Sequence, residues 1–183
     1  MQLHLGCGKR FFPGWFHVDI ADFEHIDLRT SVNDLSKIAS DSVTIIYASH
    51  VLEYFDQHEV MHVLTEWKRV LKIGGTLRVS VPDFDALIKV YHLTGGNINY
   101  LLGPLYGRMA IDENSSEFIY HKVVYNFDKL SEILTSAGFS GAIRYNWQDR
   151  ETADYDDHSQ AYFPHMDKSN GLQISLNIEV RKL

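Results

Sequence analysis

Two glycines and an aspartate near the start of the chain have the spacing of a nucleotide site. Residues 3–8 read Leu-His-Leu-Gly-Cys-Gly, and residues 17–20 read His-Val-Asp-Ile. An apolar strand running into a turn with Gly6 and Gly8 lets backbone approach a ligand where a Cβ would collide. A second short strand ending in Asp19 brings a carboxylate to the same edge of a parallel sheet, where it can accept hydrogen bonds from both hydroxyls of a ribose. The dinucleotide fingerprint G-x-G-x-x-G is not met, because Phe11 occupies the third glycine position and Asp19 comes too early. Asp154, Asp156, Asp157 and His158 have the residue types of a metal site. Nothing in their spacing holds them on one face, and oxygen-rich loop runs of this kind are usually solvated. Cys7, the lone cysteine, reads as a small residue packed under a strand end rather than a nucleophile.

These residues need a sheet to position them, and the chain supplies its strands in alternation with helices. Short strands are expected at Gln2–Leu5, Phe16–Ile20 and, more weakly, Glu24–Leu28. Residues 31–41 are polar, a short helix or a loop. Val43–Ala48 is a β-branched run and reads as a buried strand. Asp56 and Glu59 form a capping box. Behind it Val60, Val63, Leu64, Trp67, Val70 and Leu71 mark a helix with one buried face, ended by Gly74-Gly75. Thr76–Val81 is a strand stopped by Pro82, and Asp83 caps a helix to about Tyr91. Asn126 or Asp128 begins a helix with Leu130, Ile133, Leu134 and Ala137 on one face. Ala142–Trp147 and Leu172–Val180 are the last strands, joined by a polar, aromatic-rich loop with no crossover helix. That joint points to an antiparallel pair at the sheet edge. Residues 95–120 are too irregular for a plain connection and read as a lid or insertion.

With 183 residues the chain has room for one ordinary domain with a full core, expected over 1–183. No apolar run is long enough for a membrane span, and no secretory signal is visible. A single cysteine fits a reducing compartment, so a cytoplasmic location is expected. A formal net charge of -7 without a lysine/arginine cluster argues against nucleic acid as the main partner. The aromatics Tyr145, Trp147, Tyr155, Tyr162 and Phe163 have three uses open to them: covering the core, lining an acceptor pocket, or forming a homodimer surface.

Taken in order, several blocks resemble the class I S-adenosylmethionine-dependent methyltransferases, and more closely the small UbiE-like, methyltransferase type 11 members. They are L-H-L-G-C-G at 3–8, V-D-I at 18–20, Asp27-Leu28, and D-S-V-T-I-I-Y-A-S-H-V-L-E-Y at 41–54. E-W-K-R-V-L-K-I-G-G-T-L-R-V-S-V-P-D at 66–83 and L-x-x-I-L-T-S-A-G-F at 130–139 complete the set. The resemblance implies an α/β, Rossmann-like, seven-stranded sheet of order 3-2-1-4-5-7-6, with strand 7 antiparallel and helices on both faces. It implies S-adenosylmethionine as cofactor and S-adenosylhomocysteine as product. Gly6, Cys7 and Gly8 would pass under the amino-acid part of the cofactor. Asp19 would hold the ribose and Ile20 would pack on the adenine, with Asp27 and Leu28 at the adenine edge. Ala48, Ser49 and His50 would line the methionine moiety and face the methyl acceptor.

The chain departs from the family at several points. Arg10 stands at the third-glycine position, and Tyr54 stands where many relatives have histidine. Pro13-Gly14 interrupts a short gap between Gly6 and Asp19, leaving little room for the first crossover helix. The helix that usually precedes strand 1 is missing, so the lid at 95–120 is expected to supply cover. Trp67 is core by its helical spacing, and Glu53 is expected to be structural. If the acceptor must lose a proton, His121 and His50 are the candidate bases. A small-molecule acceptor is expected, with a sugar or lipid-linked glycan suggested by what relatives commonly methylate. Adenine or glutamine nitrogen fits less well, because residues 48–51 read A-S-H-V where N-P-P-Y would stand. The alternative is a non-catalytic, methyltransferase-like partner subunit of a biosynthetic complex.

Overall fold

A computed structural model describes residues 1–111 and 116–183. Part of the expected lid, 112–115, lies outside the described residues. The main sheet contains β1 (Gln2–Leu5), β2 (Phe16–Asp19), β3 (Leu28–Arg29), β4 (Val43–Ser49), β5 (Leu71–Pro82), β8 (Phe139–Arg144) and β11 (Ser175–Lys182). Its order is β3-β2-β1-β4-β5-β11-β8. The first five strands run parallel, and β11 is antiparallel to both β5 and β8. Counted along the chain within this sheet, that is 3-2-1-4-5-7-6 with the last strand reversed, as expected. Two small hairpins, β6 (Met109–Ala110) with β7 (Phe118–Ile119) and β9 (Tyr162–Phe163) with β10 (Leu172–Gln173), stand apart.

The helices are α1 (Val60–Val70), α2 (Phe84–Leu93), α3 (Asn99–Tyr106) and α4 (Phe127–Ser136). Their starts follow from their caps. Asp56 Oδ1 accepts from the amides of His58 and Glu59 while Glu59 Oε2 accepts from the Asp56 amide, closing the capping box before α1. Asp83 and Asn126 cap α2 and α4 through the amides of Asp85 and Lys129. Helix α1 stops at Val70, short of Gly74-Gly75, which lie inside β5. The Lys182 ammonium holds that end, donating to the carbonyls of Lys68 and Leu71 at 2.7 Å.

Strand alternation splits the sheet into two unlike faces. Leu3, Ile46, Leu77 and Val180 follow one another across the register on one face, with Leu5, Ala48, Val79 and Ile178 a step along. All are in the core cluster that contains Trp67 of α1 and Leu130 and Leu134 of α4. On the other face His17, His4, Tyr47, Arg78 and Glu179 are cross-strand neighbours. The expected cover of helices on both faces is therefore distributed differently. Helices α1 and α4 pack on the apolar face, α2 packs instead with α3 and the β9–β10 hairpin, and loop covers the polar face. Phe12 stacks on His4 at 4.1 Å and Trp15 packs beside it. Glu151 accepts from Arg78, Tyr145 meets Ser80, Asp157 accepts from the Tyr47 hydroxyl, and Asn177 donates to the Ser159 carbonyl.

The reason lies in the short links. The segment between β1 and β2 turns at Pro13-Gly14 and makes no helix. Residues 30–42 likewise form turns, held by Arg69 donating to the carbonyls of Leu35 and Ile38 and by Glu66 accepting from the Leu35 amide. The third strand is only Leu28–Arg29 because a Phe23–Ile26 turn consumes the residues before it. Among the described residues no helix is long and apolar enough to cross a membrane.

Candidate active site

The carboxyl ends of β1, β2 and β4 meet at one cavity of about 660 Å³, within the usual range of small-molecule sites. Gly6 (φ +62°) is required there by close approach, since a Cβ would lie 2.4 Å from a methyl of Val51. A Cβ on Gly8 would meet no atom of the described residues within 4 Å, so the cavity comes directly against backbone. Asp19 organises this turn. One carboxylate oxygen accepts from the Gly8 amide and the other from the Ala21 amide, both at 2.8 Å. Each oxygen keeps a second lone pair, and the residue borders the cavity.

The other expected residues divide. Ile20, Ser49 and His50 line the cavity. Cys7 and Ala48 are buried and do not form its wall. Burial pushes the Cys7 thiol up to about 12. Asp27 and Leu28 do not line it either. Asp27 turns back to the backbone amide and ring of His17, while Leu28 pairs with Val18 in the sheet. Ser31 and Val32, just beyond the shortened third strand, occupy the wall instead. Met109, Ala110, Ile111 and Ile119, from the hairpin region of the expected lid, close another side.

A second cavity of about 290 Å³ adjoins the first, and both are bordered by His50, Tyr54, Met109 and His158. His50 sits at the end of β4 with φ +55°, an uncommon left-handed conformation for a non-glycine residue. Its Nε2 lies 3.2 Å from Ser175 Oγ. Ser175 donates onward to Asn177 Oδ1, so the Nε2 proton points to Ser175 and Nδ1 keeps a lone pair. That lone pair faces Glu53 Oε1 at 3.2 Å. Glu53 is fully buried with no aligned hydrogen-bond partner among the described residues for either carboxyl oxygen, and burial pushes its pKa up to about 8. His121 borders only the second cavity. Its Nδ1 donates to the Pro104 carbonyl at 2.8 Å, and Nε2 faces Glu53 Oε1 at 3.7 Å. Burial lowers the pKa of both imidazoles, that of His50 well below its ordinary value, so both are neutral at pH 7.

Sequence reasoning places Glu53 as structural and His158 in a solvated acidic loop. Glu53 does lack a route to solvent, but it stands between the two histidines singled out as bases. The one signal for it was a carboxylate inside the apolar run V-L-E-Y. His158 gives no local signal, because a fold of more than a hundred residues returns it to the edge near Gly8. Asp157 is committed to Tyr47 and to the Ser159 amide. The aromatics from Tyr145 to Phe163 cover core: Tyr145 and Trp147 are buried, Tyr155 packs on Phe12, and Phe163 joins α2 and α3.

Residues 18–79 match the family model described as a methyltransferase domain. No curated protein matches the chain. Among solved structures, a SAM-dependent methyltransferase from Methanosarcina mazei aligns with TM-score 0.57 and 18% identity, over 100% of this chain and 92% of that one. One from Archaeoglobus fulgidus gives 0.58 and 13%, over 99% and 85%. The 1,6-didemethyltoxoflavin-N1-methyltransferase of Burkholderia thailandensis, solved with 1,6-didemethyltoxoflavin and S-adenosylhomocysteine bound, gives 0.53 and 14%, over 99% and 70%. The domain match lies within the seven-stranded fold, and these solved methyltransferases share that fold with the chain.

Proposed function

We propose that the protein transfers a methyl group from S-adenosylmethionine to a small-molecule acceptor in the cytoplasm. The observation that carries this reading is the pair of joined cavities. The larger one lies against the Gly6–Gly8 backbone and Asp19, and the smaller one meets it at His50 and Tyr54. The residues fit the cofactor. Gly8 leaves room for a ligand against bare backbone, Asp19 retains a free lone pair on each oxygen for the ribose hydroxyls, and Ile20 offers an apolar surface to the adenine. Ser31 and Val32 take the adenine-edge place that Asp27 and Leu28 do not reach.

S-adenosylmethionine supplies an activated methyl group on a sulfonium, so the protein's part is position, electrostatics and exclusion of water. The smaller cavity, just under the usual size for drug-like ligands, sets the scale of the acceptor group. His50 and His121 form its polar wall, their orientation fixed by Ser175 and the Pro104 carbonyl. The hairpin at Met109–Ala110 and Phe118–Ile119 acts as the cover that the short β1–β2 link does not provide. Calorimetry with S-adenosylmethionine and S-adenosylhomocysteine tests the proposal. Micromolar binding of both is expected, and no binding of either at millimolar concentration refutes it. Binding without transfer to any acceptor would instead support the partner-subunit alternative.

A further inference from the structure

We propose that His158 is the general base of this site and that the acceptor atom is a hydroxyl oxygen. This rests on the methyltransferase reading above. The methyl group must cross where the two cavities meet, and four side chains border both: His50, Tyr54, Met109 and His158. Three of them have no basic atom to spare. His50 Nε2 donates to Ser175, and its Nδ1 lone pair faces the buried Glu53 carboxyl, which borders neither cavity. The Tyr54 hydroxyl donates to the Gly107 carbonyl, and burial pushes its ionisation upward. Met109 has no protonatable group. His158 differs: its residue is exposed, and neither ring nitrogen has a hydrogen-bond partner among the described residues. His121 borders the second cavity only, with Nδ1 committed to a carbonyl.

The imidazole is free but its backbone is anchored. Asp157 before it is buried, accepting from the Tyr47 hydroxyl and the Ser159 amide. The groups that act on His158 come from several elements. The His50 ring is 5.2 Å away at the end of β4, His121 acts from the segment before α4, Arg10 from the loop after β1, and Asp156 and Asp157 are its neighbours. Although the residue is open to solvent, desolvation by the protein packed around its ring, with Arg10, outweighs the two aspartates and lowers its pKa. The ring is therefore neutral, and competent to accept a proton, at pH 7.

A base is needed only where the nucleophile carries a proton that must leave, as a hydroxyl does; an uncharged amine attacks with its own lone pair. As the acceptor oxygen forms its bond to the methyl carbon, the carbon–sulfur bond breaks with its electron pair retained by sulfur. The acceptor proton passes to a His158 ring nitrogen and is later released to water. The products are a methyl ether, S-adenosylhomocysteine and one proton.

Two measurements on the full chain saturated with S-adenosylhomocysteine test this. Nitrogen-15 NMR of the histidine rings should show His158 titrating below 6.5 without a hydrogen-bonded ring nitrogen. A pKa above 7, or both nitrogens hydrogen-bonded, overturns the proposal. Transfer from S-adenosylmethionine is then measured with catechol, methyl glucoside and benzylamine as probes. Methylation of a hydroxyl probe is expected, with His158→Gln lowering kcat at least 100-fold, as for loss of a general base. The acid limb of its pH profile should vanish, and affinity for S-adenosylhomocysteine should stay within twofold. Transfer to benzylamine alone, or a loss under threefold in His158→Gln, overturns it. If no probe is methylated, the ring titration decides. Failure to bind S-adenosylhomocysteine would sink the methyltransferase reading itself, a result distinct from either of these.

Discussion

Substituting Asp19 separates a residue that builds the glycine turn from one that also binds ribose. Its two oxygens already accept from the Gly8 and Ala21 amides, leaving one lone pair each for a ligand. Hydrogen bonds to a charged acceptor contribute about 1.5–3 kcal/mol. Asp19→Ala should therefore raise the Kd for S-adenosylhomocysteine by roughly 10- to 150-fold, at 1.4 kcal/mol per decade. It should also cost about 1–3 kcal/mol of stability, because two amides lose their acceptor. The affinity loss alone is ambiguous, since a disordered Gly8 turn weakens binding too. A 2′,3′-dideoxy analogue of S-adenosylhomocysteine resolves this by calorimetry. The wild type should bind it at least tenfold more weakly than the parent compound, whereas Asp19→Ala should bind the two nearly alike. An equal penalty for the analogue in both proteins would refute ribose binding and leave Asp19 as a turn-organising residue only.

Glu53→Gln should stabilise the protein increasingly between pH 4.5 and 8 in thermal melts. The native state holds a proton up to about pH 8 that the unfolded chain releases near 4.5, so wild-type stability falls across that window by up to about 5 kcal/mol. His50, whose pKa is depressed, loses stability instead as pH falls below 6.5, so the difference between wild type and Glu53→Gln isolates the carboxyl; a constant difference would count against a buried protonated acid. Gly107→Ala should cost at least about 1–2 kcal/mol from its left-handed backbone alone (φ +48°). Its Cβ would also lie 2.0 Å from His121 Nε2, so the His121 ring resonances should shift; unchanged resonances would contradict that contact. Tyr47→Phe leaves Asp157 with one partner fewer in a buried site, at about 1–3 kcal/mol by denaturant melt, and should lower transfer through His158 without changing S-adenosylhomocysteine affinity.

The sheet was legible in the sequence because each strand carries its own local pattern. Val43–Ser49 is β-branched, α1 has a complete apolar stripe behind a capping box, and the missing crossover before the last strand foretold its reversal. That Gly6, Gly8 and Asp19 meet at one cavity edge was legible, because they stand at the ends of two adjacent parallel strands. What was not legible depends on long-range return. Asp27 and Leu28 were assigned to the adenine edge from a pattern with a longer third strand; here that strand is two residues, and the wall falls to Ser31 and Val32. The polar face that loop covers opposite α1 and α4 appears only when register is known, because His4, His17, Tyr47, Arg78 and Glu179 lie far apart in the chain.

That distribution bears directly on the site. A sheet face lined by imidazole, phenol and an Arg–Glu pair cannot be covered by an apolar helix stripe without leaving buried polar groups unpaired. Loop can satisfy them, since its side chains and carbonyls reach in singly, as Glu151, Asp157 and Ser159 do. The same loop continues from Asp157 into His158, at the junction of the two cavities. The trimmed link between β1 and β2 thus has two linked consequences. It removes a helix from the polar face, and it leaves space for a segment that both pairs with Tyr47 and Arg78 on that face and carries a free imidazole to the edge where the Gly6–Gly8 turn ends.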